Sequence, residues 1–282
     1  MRLRVMVAVV LVLVLVVGIG VYIAASRFRG NLPASTSSAC EVSTPAGAVS
    51  LHFDQMANAA TITAVGLTKK LPDRGIVVAL ATALQESKLE NLAGGDRDSI
   101  GLFQQRPSQG WGDPDQISDP RYAATKFYNA LVRVRGWQDM RVTDAAQRVQ
   151  RSAFPEAYEK WADEAEILTE ALTGRSPGAV TCGSAGEPLL RGLEATDMLG
   201  HGLRQDWGNV ETTVSGGVGL GVRAASERAG WRFAHWIVAH SASIGVQRVQ
   251  FGSREWTADR GAWTDVALAP TDLVLAEVYS GE

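Results

Sequence analysis

Residues 81–105 read ATALQESKLENLAGGDRDSIGLFQQ, and their reading decides the chain because they set one glutamate at the end of an apolar segment. That segment, IVVALATAL at 76–84, predicts a helix whose backbone is held by core packing. Glu86 follows at its end, so the carboxylate is free to reach whatever lies beyond the helix. Further on, residues 99–105 read SIGLFQQ. Gly101 permits a tight backbone path there, and Ser99, Gln104 and Gln105 offer side chains that hydrogen-bond a polar ligand.

Breaking a glycosidic bond needs a carboxylic acid that still carries its proton near neutral pH, which an apolar setting provides. The run at 76–84 supplies such a setting. Taken alone, Glu86 reads first as a solvated glutamate at a helix C-terminus, where the macrodipole disfavours its charge. The two strings together change the balance. Q-E-S at 85–87 followed by G-L-F-Q at 101–104 resembles the Q-E-S and G-L-M-Q motifs of soluble lytic transglycosylases and goose-type lysozymes, the lysozyme-like superfamily that cleaves peptidoglycan. The resemblance covers roughly residues 54–172. It implies an all-α domain, peptidoglycan glycan strands as substrate, Glu86 as general acid/base, and no cofactor.

Two neighbouring aspartates decide the type of reaction. An inverting hydrolase needs a second carboxylate about 6.5–9.5 Å from the acid to activate water, whereas a lytic transglycosylase needs one glutamate, which takes the proton of the sugar's own hydroxyl after serving as acid. G-D-R at 95–97 resembles the goose-type loop that carries an assisting acid, so Asp96 is a candidate base and hydrolysis stays open. Asp98 reads rather as turn chemistry. The resemblance points Gln104 towards N-acetyl groups and says less of Gln105. Trp111, between glycines, suits either sugar stacking or a loop anchor. Tyr158 lies where the family carries a cleft tyrosine, although its usual A-Y-N-x-G string is absent here.

Residues 5–23 carry no charge and approach the roughly 20 needed to span a bilayer, which predicts a signal anchor over 1–25, with cleavage after Ala25 or Ser26 left open. Arg2 and Arg4 are balanced by Arg27 and Arg29, so orientation rests on function: a glycan-cleaving domain belongs outside the cytoplasmic membrane. Cys40 lacks the leucine of a lipoprotein signal. The chain's two cysteines, Cys40 and Cys182, border the lysozyme-like region, and in an exported protein they predict a disulfide. Ser-, Thr-, Pro- and Gly-rich composition marks 26–50 as a flexible linker and 173–188 as a second one. A net charge of -3 without a basic stripe excludes a nucleic-acid partner.

Helical periodicity runs over 53–70, 73–88, 120–133 and 144–172, with Asp73 and Asp119 as N-cap candidates. Residues 231–245 predict an amphipathic helix stopped by glycine, followed by a strand pair. This half, 189–282, resembles the α+β domain that follows lysozyme-like domains in actinobacterial cell-wall proteins, itself related to zinc D,D-peptidases. At the zinc positions stand Val214, Gly221, Leu273 and Leu275, which cannot ligate a metal. His235 and His240, about 140° apart around a helix, do not share a ligand and read as surface or helix-end residues. The expectation is therefore a multi-domain chain: a transmembrane helix, an all-α lysozyme-like domain at 51–172, and a small α+β domain without zinc ligands. The sequence leaves three functions open: a lytic transglycosylase, a muramidase using Asp96 or Asp98, and a non-enzymatic wall-binding or scaffold protein.

Overall fold

Cys40, Val42, Val49 and Leu51 are buried while Glu41, Ser43 and Ser50 between them face outward, the period of two that makes a half-buried strand. They form an antiparallel hairpin of β1 (Ala39–Thr44) and β2 (Gly47–His52). Its turn needs Gly47, whose φ is +149° and where a Cβ would stand 2.9 Å from Ile167 Cδ1. The structure is a computed structural model that describes residues 39–281 except 153, 155, 184, 185, 215–218 and 268–270. The uncharged run at 5–23 lies outside the described residues; among those described, no helix is long and apolar enough to cross a membrane.

Helices follow the hairpin: α1 (Phe53–Thr68), α2 (Asp73–Ser87), α3 (Pro114–Ile117), α4 (Pro120–Leu131), α5 (Val142–Gln150) and α6 (Ala162–Leu172). Strand β3 (Val180–Cys182) then returns to β1, giving the sheet order β2-β1-β3. Cys40 stands directly opposite Cys182 in this pairing, and the expected disulfide joins them. The rest comprises α7 (Gly192–Trp207), β4 (Thr212–Val214), β5 (Gly219–Arg223), α8 (Glu227–Ala239), α9 (Ser241–Ile244), β6 (Val246–Phe251), β7 (Arg254–Thr257), β8 (Ala262–Asp265) and β9 (Leu273–Val278). Its antiparallel sheet has the order β4-β5-β9-β6-β7-β8.

This architecture corrects the expected fold class. The described residues hold nine helices and nine strands in two antiparallel sheets, not an all-α domain joined to a separate α+β one. All of them belong to one compact unit. Both expected linkers are structured where they are described. Residues 39–50 are the hairpin, and the 173–188 stretch contributes β3 and is clamped by Arg228 and Arg232, whose Nε atoms each donate to the Thr173 carbonyl at 3.0 Å. Small polar residues concealed a strand alternation that buries one face against α6. The helix expected over 144–172 is also broken. Arg151 leaves α5 at φ +53°, and α6 starts only after Trp161. Asp73 does not cap α2. Pro72 is the N-cap, and Asp73 instead pairs with Arg175 and Arg228.

α1 is buried on nearly every side because α2, α4, α7 and α8 all pack against it. A polar knot lies at its middle. Asp206 of α7 is fully buried, ion-paired with Arg121 of α4, and accepts from Thr61 of α1 at 2.8 Å and from the Trp236 indole of α8 at 2.7 Å. His240 stacks on Trp236, with ring centroids 4.0 Å apart.

His235 and His240 are both buried, which corrects their reading as surface residues. His235 Nδ1 donates to the Ala171 carbonyl at 2.8 Å while Nε2 accepts from the Ala179 N–H at 3.1 Å. Only the neutral ring fits, since a protonated one would turn a donor against a donor. Burial accordingly pushes the imidazole down to about 4. Because the unfolded ring titrates near 6.5, it binds a proton more readily than the folded one, and stability should fall as pH drops from about 6.5 towards 4. Urea unfolding of the full chain at pH 7.5 and pH 5 should show a loss that shrinks in His235→Gln. Equal losses in both proteins would refute this role.

Candidate active site

Glu86 lies in the last turn of α2, a helix buried from Gly75 to Leu84. The chain then reverses through two left-handed residues, Lys88 at φ +58° and Leu89 at φ +64°. Their N–H groups bond back to Leu84 and Ala83, both at 3.2 Å, and Leu89 is driven into the core. This sharp stop leaves Glu86 half-buried at an edge. Tyr158 reaches it from the loop before α6, donating its hydroxyl to Glu86 Oε1 at 2.7 Å. Burial, followed by the charge of Glu86, pushes the Tyr158 phenol well above its ordinary range, so it stays a donor. Among the described residues no group bonds Glu86 Oε2.

Ser87 fixes the second motif onto the first. Its buried hydroxyl donates to the Leu102 carbonyl at 2.8 Å, tying the 99–105 turn to the end of α2. A bridge between Ile100 and Gln105 closes the turn. Gly101, at φ +75°, passes so near α3 that a Cβ would stand 2.8 Å from the Ile117 carbonyl. Gln150 of α5 donates to the Phe103 carbonyl at 2.8 Å and braces the turn from the other side. Neither Ser87 nor Gln150 stood out as a site residue in sequence, although the serine of Q-E-S was a usable signal. Gln85 adds a third support, accepting from the Trp161 indole at 2.9 Å, and Lys88 Nζ lies 3.6 Å from the centroid of that ring.

The other expected site residues divide. Gln104 is half-buried, with φ +46°, and its amide lies against Gly95 so closely that a Cβ there would be 1.7 Å from Oε1. The 95–97 loop and the glutamine turn therefore touch. Ser99 and Gln105 turn inward: Ser99 donates to the Asp96 carbonyl at 2.7 Å, and Gln105 donates to the Ala123 carbonyl at 3.1 Å. Both are buried and hold backbone rather than facing a ligand. Trp111 lines a cavity of about 850 Å³ whose walls do not include Glu86.

Asp98 is fully engaged. Its Oδ2 accepts from the Ser108 N–H at 2.8 Å and its Oδ1 from Arg106 at 2.6 Å. The bonds to Ser108, then the Arg106 guanidinium, hold its carboxyl well below the usual carboxylate range. The Asp96 side chain is 92% exposed, and among the described residues its carboxylate pairs with Arg97 alone, at 3.8 Å. The arrangement thus offers one carboxyl group oriented by a phenol, while the Asp98 carboxylate is engaged by Arg106 and Ser108. Val214, Gly221, Leu273 and Leu275 fall on β4, β5 and β9, where Gly221 pairs with Leu275. No group of three His, Cys, Asp or Glu that could hold a metal occurs among the described residues. No protein-family model matches the chain, and no curated protein matches it in sequence.

Proposed function

We propose that this protein cleaves the glycan strands of peptidoglycan outside the cytoplasm, by a lytic transglycosylase-like reaction in which Glu86 serves alone as acid and then base. The observation that carries this is the Tyr158 hydroxyl on Glu86 Oε1, which holds the carboxyl in one orientation and leaves Oε2 for the substrate. Glu86 gives its proton to the leaving glycosidic oxygen as the bond to the anomeric carbon breaks. The carboxylate so formed takes the proton of the same sugar's 6-hydroxyl, whose oxygen closes on the anomeric carbon. Water is not consumed, and the enzyme returns to its starting state. Tyr158 stabilises the intermediate carboxylate, and in this reading Gln104 binds an N-acetyl group. The Cys40–Cys182 disulfide supports an oxidising compartment.

The engagement of Asp98 and the exposure of Asp96 favour this reaction over hydrolysis, because a carboxylate held far below its usual range is a poor base. Tyr158→Phe should lower kcat by about tenfold to a hundredfold, the worth of one hydrogen bond to a charged group. Asp96→Asn and Asp98→Asn should release soluble fragments from purified peptidoglycan nearly as well as the unaltered chain. A loss of activity in either aspartate variant as large as that from removing Glu86 would overturn the single-acid assignment.

A further inference from the structure

The 850 Å³ cavity beside Trp111 is lined by Lys126 and Asn129 of α4, by Arg133 just past its end, by Arg148 of α5 and by Arg151. Its remaining walls include the Trp111 ring and no carboxylate. Among the described residues none of the four cations is ion-paired. α4 contains no acidic residue, and the one on α5, Asp144, is hydrogen-bonded to Arg141 at 2.9 and 3.0 Å, with Arg148 a weaker electrostatic neighbour. Arg151 is held at φ +53°, a conformation uncommon outside glycine. Cations near helix C-termini complement the macrodipole, which accounts for arginines at the ends of α4 and α5. It does not account for both sets opening into one concavity whose walls carry no carboxylate, in a chain whose net charge is -3.

We infer that this cavity binds a linear phosphate polymer that carries no nucleobases, an anionic chain held by its phosphate groups. Guanidinium forks match phosphate oxygens in pairs, and a lining of one sign suits a ligand of one sign. A peptide bearing both carboxylates and ammonium groups would leave its cations without a partner here. Asn129 and the Trp111 ring can take the uncharged polyol or sugar units between phosphates. Gln150 lines the cavity and also bonds the Phe103 carbonyl, which links the cavity wall to the 99–105 turn. The binding does not depend on Glu86 chemistry, and its test reads no bond cleavage.

The full chain, in mild detergent, would be titrated with fluorescently labelled inorganic polyphosphate over a range of salt. Affinity should fall steeply with salt, and the double variant Arg133→Gln/Arg148→Gln should bind at least about tenfold more weakly with a shallower salt slope. The exposed Arg223→Gln should bind unchanged. Thermal melting confirms that each variant is folded, and Lys126→Gln alone, should the double variant unfold, must still weaken binding. Hydrogen exchange should slow at 126–134 and 148–151 when polyphosphate is added. Unchanged affinity in the folded variants, or protection elsewhere, would overturn the site. Polyglutamate binding as tightly as polyphosphate, or an oligonucleotide or anionic lipid vesicles binding more tightly, would overturn the ligand class.

Discussion

Glu86→Gln should slow clearance of a peptidoglycan suspension by at least about 10²- to 10⁴-fold, the usual contribution of a general acid/base, while leaving the fold intact. The amide has the shape of the acid, and its oxygen still accepts from the Tyr158 hydroxyl, which now lies 2.7 Å from Oε1. What it lacks is a transferable proton. The position is half-buried at a helix end and makes no ion pair among the described residues, so thermal stability should stay close to that of the unaltered protein. Turbidity assays and melting curves on the same preparation separate the two effects. Undiminished clearance by a folded Glu86→Gln would remove the glutamate from the reaction.

Asp206→Ala should cost about 3–5 kcal/mol of stability, the range found when one member of a buried ion pair is deleted. Three donors lose their acceptor at once: the Arg121 guanidinium, the Thr61 hydroxyl and the Trp236 indole. Arg121 is 30% exposed and regains some water, but Thr61 and Trp236 are buried and do not. These residues come from four helices, so the loss should appear as one cooperative shift in the urea midpoint. A change below about 1 kcal/mol would show that the knot is not what ties α1, α4, α7 and α8 together.

The sequence made the Glu86–Tyr158 pair legible but not its surroundings. Glu86 and Tyr158, 72 residues apart, were both readable from motif and position, and they meet. The helices at 53–70 and 73–88 were readable to within a residue or two because apolar residues crowd them. The inward hydrogen bonds of Ser99 and Gln105 were not readable, because a polar side chain in a glycine-bearing turn satisfies either a ligand or its own backbone, and sequence does not say which way it points. Asp206, Arg121, Thr61 and Trp236 each look ordinary in isolation; only the packing of α7 and α8 on α1 assembles them. The hairpin at 39–52 was hidden by composition, since Ser, Thr, Pro and Gly mark both tethers and turns. Its two-residue alternation, ending on the cysteine that pairs with Cys182, was the signal that could have revealed it.

The most direct test of the single-acid account is the mass of what the full chain releases from purified peptidoglycan. If Glu86 acts alone and the sugar's own hydroxyl attacks, every new muramyl end should be a 1,6-anhydro sugar, with no reducing end formed. Fragments heavier by one water, and fewer of them in Asp96→Asn, would show that a carboxylate-activated water does the cleaving.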